Sequence, residues 1–163
     1  MRLQESTIIS ANVATVWPHI ADPVAQAAWN PKVISVDREK SGPAHFGERF
    51  EMIYRMSGRD NRSQVEVREC QPSQRIVFLH RIEQQSRLRI VEEAYDIEPH
   101  GDGVKVVQTI DLTRAGIPWL FRPLIWITQR FGHSTEEPYL ERLKDLIERP
   151  TMAAATVPAR DGI

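Results

Sequence analysis

From residue 32 to residue 113 the sequence keeps one habit: a run of β-prone residues, a turn signal, then another run, with helical period nowhere between them. Residues 33–39 stop at Ser41-Gly42-Pro43. Phe50, Met52, Tyr54 and Met56 alternate with polar residues and end at Ser57-Gly58 and Asp60-Asn61. Residues 64–68 lead to Gln71-Pro72, and residues 75–82 and 87–98 follow, the latter closed by Pro99 to Gly103. Residues 104–112 complete the series. Consecutive strands on such short connections pair as an antiparallel meander, because a parallel crossover needs a dozen residues or more.

Both flanks change period. Residues 5–10 form one further short strand, after which Asn12 or Ser10 caps a helix carrying Val13, Val16, Trp17 and Ile20. Pro18 shortens or distorts that helix, and Asp22-Pro23 starts a second one that stops before Pro31. Beyond Gly116 the apolar positions Leu120, Phe121, Leu124, Ile125, Thr128 and Phe131 take helical spacing, continued after Gly132 by Leu140, Leu143, Leu146 and Ile147. Ser134 to Glu137 matches a capping box, and Pro123 and Gly132 leave one kinked helix or two consecutive ones open. A sheet with one apolar face must bury it, and this terminal helix is the large apolar element available. A sheet bent around one helix leaves a space between them.

Composition narrows what such a fold would serve. The 163 residues suit one domain, residues 1–148, with a small, Pro-containing tail at 149–163 that lacks any period. The net charge of -1 offers no general attraction to a nucleic-acid backbone. No apolar run reaches the roughly 20 residues that cross a bilayer, so stable membrane insertion is not expected. The N-terminus lacks the apolar core of a secretory signal, and Cys70 is the single cysteine, so a reducing cytoplasm is the expected compartment.

The stretch Ser6 to Trp17, with Ile20-Ala21-Asp22-Pro23 and Trp29-Asn30-Pro31 behind it, resembles the opening of the START-like (SRPBCC) superfamily, most of all its polyketide cyclase/dehydrase branch. Tyr139 to Glu148 is similar to the end of that family's long helix. Asn12 replaces the family's usual proline, and Pro18 falls inside the first helix. The resemblance covers residues 4–148 and implies an α+β helix-grip fold. In that fold a curved antiparallel sheet of about seven strands holds a long C-terminal helix, two short helices follow the first strand, and a cavity takes an apolar ligand.

Strand alternation places Phe50, Met52, Tyr54, Val65, Val67, Ile76, Phe78, His80, Tyr95, Ile97, Val106, Gln108, Ile110 and Leu112 on the inner face. An apolar cavity with a few convergent polar groups is how small-ligand sites are usually built. The expected ligand contacts are therefore Phe50, Met52, Tyr54, Phe78, His80, Tyr95, Gln108 and Ile110 from the sheet, with Phe121, Leu124, Thr128 and Phe131 from the helix. Three residues are weak catalytic candidates: His80 and Tyr54 as proton carriers, and Arg68. The resemblance implies an arginine entering the pocket near Arg68, yet alternation turns Arg68 outward unless a bulge intervenes. The arginines at 55, 59, 62, 81, 87 and 89 sit among Glu51, Asp60, Glu66, Glu69 and Glu83 and read as a salt-bridged outer face. His133 and Glu136 lack a third ligand for a metal, and no phosphate loop or dinucleotide fingerprint occurs, so neither metal nor cofactor is expected.

Three functions follow as expectations. The first is non-covalent binding of a hydrophobic small molecule, polyketide-like, isoprenoid or lipid. The second is a cofactor-free polyketide cyclase or dehydratase (a lyase-like aromatase), in which the cavity folds the chain and His80 or a tyrosine moves protons. The third is a protein-interaction module without ligand, with Trp119 and Trp126 as anchors. The apolar stretch Ile117 to Ile127 leaves four uses open: a ligand portal, a homodimer surface, a transient membrane contact, or a face covered by the short helices bearing Trp17 and Trp29.

Overall fold

The computed structural model describes residues 2–56, 58–84, 87–115 and 139–149. Within them lie β1 (Arg2–Ile9), α1 (Val13–Ala21), α2 (Pro23–Gln26), β2 (Val33–Asp37), β3 (Arg49–Met56), β4 (Arg59–Gln71), β5 (Arg75–Gln84), β6 (Arg87–His100), β7 (Gly103–Asp111) and α3 (Tyr139–Glu148). The strands form one antiparallel sheet in the order β1-β7-β6-β5-β4-β3-β2. Sequence neighbours are sheet neighbours throughout, except that β1 and β2 occupy opposite edges. The segment holding α1 and α2 therefore has to cross from one edge of the sheet to the other.

Local chemistry explains the helices. Asn12 caps α1 by accepting the Thr15 N–H on its side chain, 2.9 Å away. Pro18 stays inside α1 without splitting it, and its carbonyl accepts the Asp22 N–H at 3.1 Å. Asp22 in turn caps α2 through the Val24 N–H, with Pro23 in the first helical position where its missing N–H costs nothing.

Several strand limits differ from the sequence reading. β1 begins at Arg2 and β4 at Arg59, both earlier than their apolar residues indicate, because ladder pairing carries the polar ends along. β6 runs through Pro99, which pairs with Val104 at the end of the ladder. Leu112 lies beyond β7 and packs with Ile110 against a small separate cluster of Ile82, Val91 and Ala115.

The main core lies between the inner sheet face and the helices. Val16, Trp17 and Ile20 of α1 and Leu140 and Leu143 of α3 meet Ile9, Phe50, Met52, Val65, Val67, Ile76, Phe78, Tyr95, Ile97, Val104 and Val106. The contact stripe of α3 is Tyr139, Leu140, Leu143 and Ile147, whereas Leu146 is 39% exposed and points away from the core. Two hydrogen bonds tie α3 to the first strand region: the Thr7 hydroxyl donates to Glu141 Oε1 at 2.7 Å, and the Ser10 N–H donates to Glu148 Oε1 at 2.6 Å. The opposite face is the expected lattice of charge, with Arg55 on Asp60, Arg62 on Glu51 and Arg81 on Glu66.

Candidate functional site

Strand register decides which side chains meet on the inner face. β5 brings Ile76, Phe78, His80 and Ile82 inward, and β3 brings Phe50, Met52 and Tyr54, all of them buried. Phe50 and Phe78 stack edge to face at 6.4 Å between ring centroids, Phe78 and Tyr95 at 6.5 Å, and Trp29 and Tyr95 at 6.1 Å. This aromatic band runs across the sheet and up to Trp29, three residues beyond the end of α2.

Beside the band lies a polar cluster. Glu93 Oε1 accepts from the Tyr95 hydroxyl at 2.7 Å and from Gln108 Nε2 at 2.5 Å, and Gln108 Nε2 also donates to the Tyr95 oxygen at 2.9 Å. His80 Nε2 faces Glu93 Oε2 at 3.3 Å without the alignment of a hydrogen bond. On its other side, His80 Nδ1 lies 3.4 Å from the Ser63 hydroxyl. The Tyr54 ring reaches over β4 to the imidazole, 5.5 Å between centroids.

The electrostatics of this cluster follow from burial and its partners. Burial by itself would push the Glu93 carboxyl up, but His80, Tyr95 and Gln108 together hold it below the usual glutamate range, so it stays ionised. Burial and the Glu93 charge push the hydroxyls of Tyr54 and Tyr95 well above the ordinary phenol range, so both keep their protons. Chemically, the cluster can hold a polar group of an apolar molecule and can hand a proton between imidazole and carboxylate.

Phe50, Met52, Tyr54, Phe78, His80, Tyr95 and Gln108 thus share one face, as alternation indicates. The polar tips of Tyr95 and Gln108 are engaged by Glu93. Among the described residues, the buried side-chain atoms that make no hydrogen bond are Glu5 Oε1, Asn30 Nδ2 and His80 Nε2, the last of them facing Glu93. Ile110 stands apart in the smaller cluster with Ile82. A bulge does occur between Val67 and Glu69, and it changes the parity of β4 so that Cys70, not Glu69, packs toward the core. It does not bring Arg68 inward: that side chain is about half exposed and its Nη1 donates to Glu66 Oε1 at 3.1 Å. Phe121, Leu124, Thr128, Phe131, Trp119, Trp126, the bend near Gly132, His133 with Glu136, the capping box and residues 150–163 of the tail lie outside the described residues.

Three residues of this site escaped the sequence reading. Glu93 shares parity with Val91, Tyr95 and Ile97, so a carboxylate on an apolar face was there to be noticed. Ser63 shares parity with Val65 and Val67 in the same way. Asn30 lies in the Trp29-Asn30-Pro31 turn, and no periodicity marks its burial.

A separate open cleft of about 700 Å³ lies where the β4–β5 and β6–β7 turns face the start of α1, lined by Val13, Gln74, Arg75, Asp96 and Pro99 among others. None of the expected ligand contacts lines it. Among the described residues no group of three metal-ligating side chains occurs, and no helix is long and apolar enough to cross a membrane.

The family described as polyketide cyclase / dehydrase and lipid transport matches residues 1–148. No curated protein matches the sequence. Among solved structures, a protein of Chromobacterium violaceum is similar at 18% identity and a TM-score of 0.62, covering 90% of this chain and 96% of that one. A START superfamily protein of Mycobacterium smegmatis is similar at 15% identity and 0.62, covering 92% and 99%. The Aha1 dimer of Colwellia psychrerythraea is similar at 14% identity and 0.59, covering 91% and 97%. At these identities the likeness concerns the fold, a helix-grip arrangement of seven antiparallel strands and a C-terminal helix.

Proposed function

Because the chain belongs to the polyketide cyclase / dehydrase and lipid transport family, we propose that it binds a hydrophobic small molecule, polyketide-like, isoprenoid or lipid, non-covalently against the inner face of its sheet. The observation that carries this reading is the buried inner face of Phe50, Met52, Tyr54 and Phe78 with a polar atom beside it, His80 Nε2, which faces Glu93 Oε2 at 3.3 Å but makes no aligned hydrogen bond. A chain that only packed its core would pair or avoid such a group, because an unmade buried hydrogen bond is costly. Apolar burial at roughly 25 cal/mol per Å² would drive binding, less the cost of ordering the ligand. The polar atom would fix its orientation.

A second reading, cofactor-free cyclisation or dehydration of a poly-β-carbonyl chain, is favoured by one observation: His80 stands between an ionised Glu93 and the Ser63 hydroxyl. In that reading His80 takes a methylene proton and the wall positions the two reacting carbons. Arg68, held by Glu66 on the outer face, takes no part. Native mass spectrometry of freshly purified protein tests the binding reading. A co-purified apolar compound, released on denaturation, is the expected result, and a bare chain that also fails to take up added ketones and fatty acids contradicts it.

A further inference from the structure

On the outer face of the sheet three arginines from three strands converge on one carboxylate. Register sets Arg49 of β3 directly opposite Glu66 of β4, and Arg81 of β5 opposite Gln64, two residues before it. Arg68 stands one step of alternation beyond Glu66 on the same face. Arg81 Nη1 donates to Glu66 Oε2 at 2.8 Å, and Arg68 Nη1 donates to Oε1 at 3.1 Å. Arg49 Nη2 lies 3.6 Å from Oε2. The carboxylate is the floor of this group: Glu66 is 8% exposed, whereas the side chains of Arg49 and Arg68 are 74% and 53% exposed.

One carboxylate cancels one guanidinium and leaves two positive charges. The neighbouring carboxylates on this side are held by other arginines: Glu51 by Arg62, Glu69 by Arg75 and Glu48 by Arg38. Glu83 and Glu92 flank Arg81 from β5 and β6, so the excess lies over Arg49 and Arg68. Each guanidinium is a planar fork of donors matched to phosphate oxygens, and Glu66 engages only part of each fork. Glu66 also holds the long side chains in place beforehand, which lowers the ordering cost of binding. We propose that Arg49, Arg68 and Arg81 over Glu66 form a site for a phosphate dianion, free or as a monoester, on the face of the sheet opposite the apolar ligand. A dianion neutralises the excess, whereas a carboxylate leaves half of it. The site is independent of the inner-face reading.

The test is an amide NMR titration of the full chain at slightly alkaline pH and constant ionic strength, with inorganic phosphate, phenyl phosphate and benzoate as probes. Saturable shifts at residues 49, 66, 68 and 81 are expected with both phosphates, and binding of benzoate at least about tenfold weaker. Tighter binding of phenyl phosphate assigns the site to an ester, and tighter binding of inorganic phosphate to the free ion; both orders support the dianion site. Arg49→Gln and Arg68→Gln should each weaken phosphate about tenfold. Arg59→Gln, the same loss of charge at the far end of β4, should leave it unchanged. Should one arginine variant not fold, the other decides. Benzoate binding as tightly as phenyl phosphate at these residues, an equal loss in Arg59→Gln, or no saturation by about 50 mM phosphate overturns the assignment.

Discussion

Glu93 Oε2 and His80 Nε2 face each other at 3.3 Å with both side chains almost wholly buried, Glu93 being 3% and His80 4% exposed. A carboxylate in that position is tolerable because Tyr95 and Gln108 complete its coordination. Glu93→Gln leaves the donors of Tyr95 and Gln108 a weaker acceptor and removes the charge opposite His80. The expected cost is about 2–3 kcal/mol, read as a lower denaturant midpoint with an unchanged slope. The pH dependence has a definite sign. Glu93 titrates lower when folded than when unfolded, so its contribution is complete above about pH 4.5 and is lost as the pH falls through the folded value. The variant should show a shallower acid limb.

Glu5 has the opposite sign. Its folded carboxyl is raised, chiefly by burial and further by Glu141, against the Leu140 N–H and Lys32, and Oε1 has no partner. A raised carboxyl costs stability at neutral pH, and the cost disappears as the pH falls below about 4.5. Glu5→Gln should therefore be more stable than wild type at pH 7, by less than about 1 kcal/mol given the partial exposure. The advantage should vanish in acid. Thermal melts at the two pH values read both.

Arg38 closes the end of the structure where α2 meets the β2–β3 connection. Its side chain is 2% exposed; it donates to Glu48 through Nε at 2.6 Å and Nη2 at 3.0 Å, and through Nη1 to the Gly42 carbonyl at 2.5 Å, with Asp22 at 3.4 Å. Arg38→Met strands two carboxylates that have lost their cation. A loss of about 3 kcal/mol is expected, measured by chemical denaturation.

Gly103 is required by space. A Cβ there would sit 2.2 Å from the Ile9 carbonyl oxygen, which belongs to the backbone and cannot swing aside. Gly103→Ala should cost about 1–3 kcal/mol and loosen the β1–β7 edge first, seen as faster amide exchange at Ile9 and Val104.

The sheet was legible because its inner side chains are apolar at every second position and its turns carry Gly, Pro or Asn. Legibility fails where one residue breaks parity or where a polar group is buried for its partners. The bulge at Arg68 shows in sequence as the three-residue step from Val67 to Cys70, yet such a step has several readings without a partner strand. Glu92-Glu93 reads as two surface charges, and only the positions of Tyr95 and Gln108 make one of them a core residue. Leu146 looks like part of the α3 stripe until Ile147, one residue further on, is seen to meet the core instead.

The central claim, that a small apolar molecule lodges on the inner face, is tested most directly by methyl NMR of the Ile/Leu/Val-labelled protein titrated with 2-acetylnaphthalene. The account predicts saturable shifts at Val65, Val67, Ile76 and Val106, which face inward, with Val77 and Leu79 on the other side of β5 unmoved. Shifts confined to Val13 and Val104 beside the open cleft, or no saturable shift at any methyl, would contradict it.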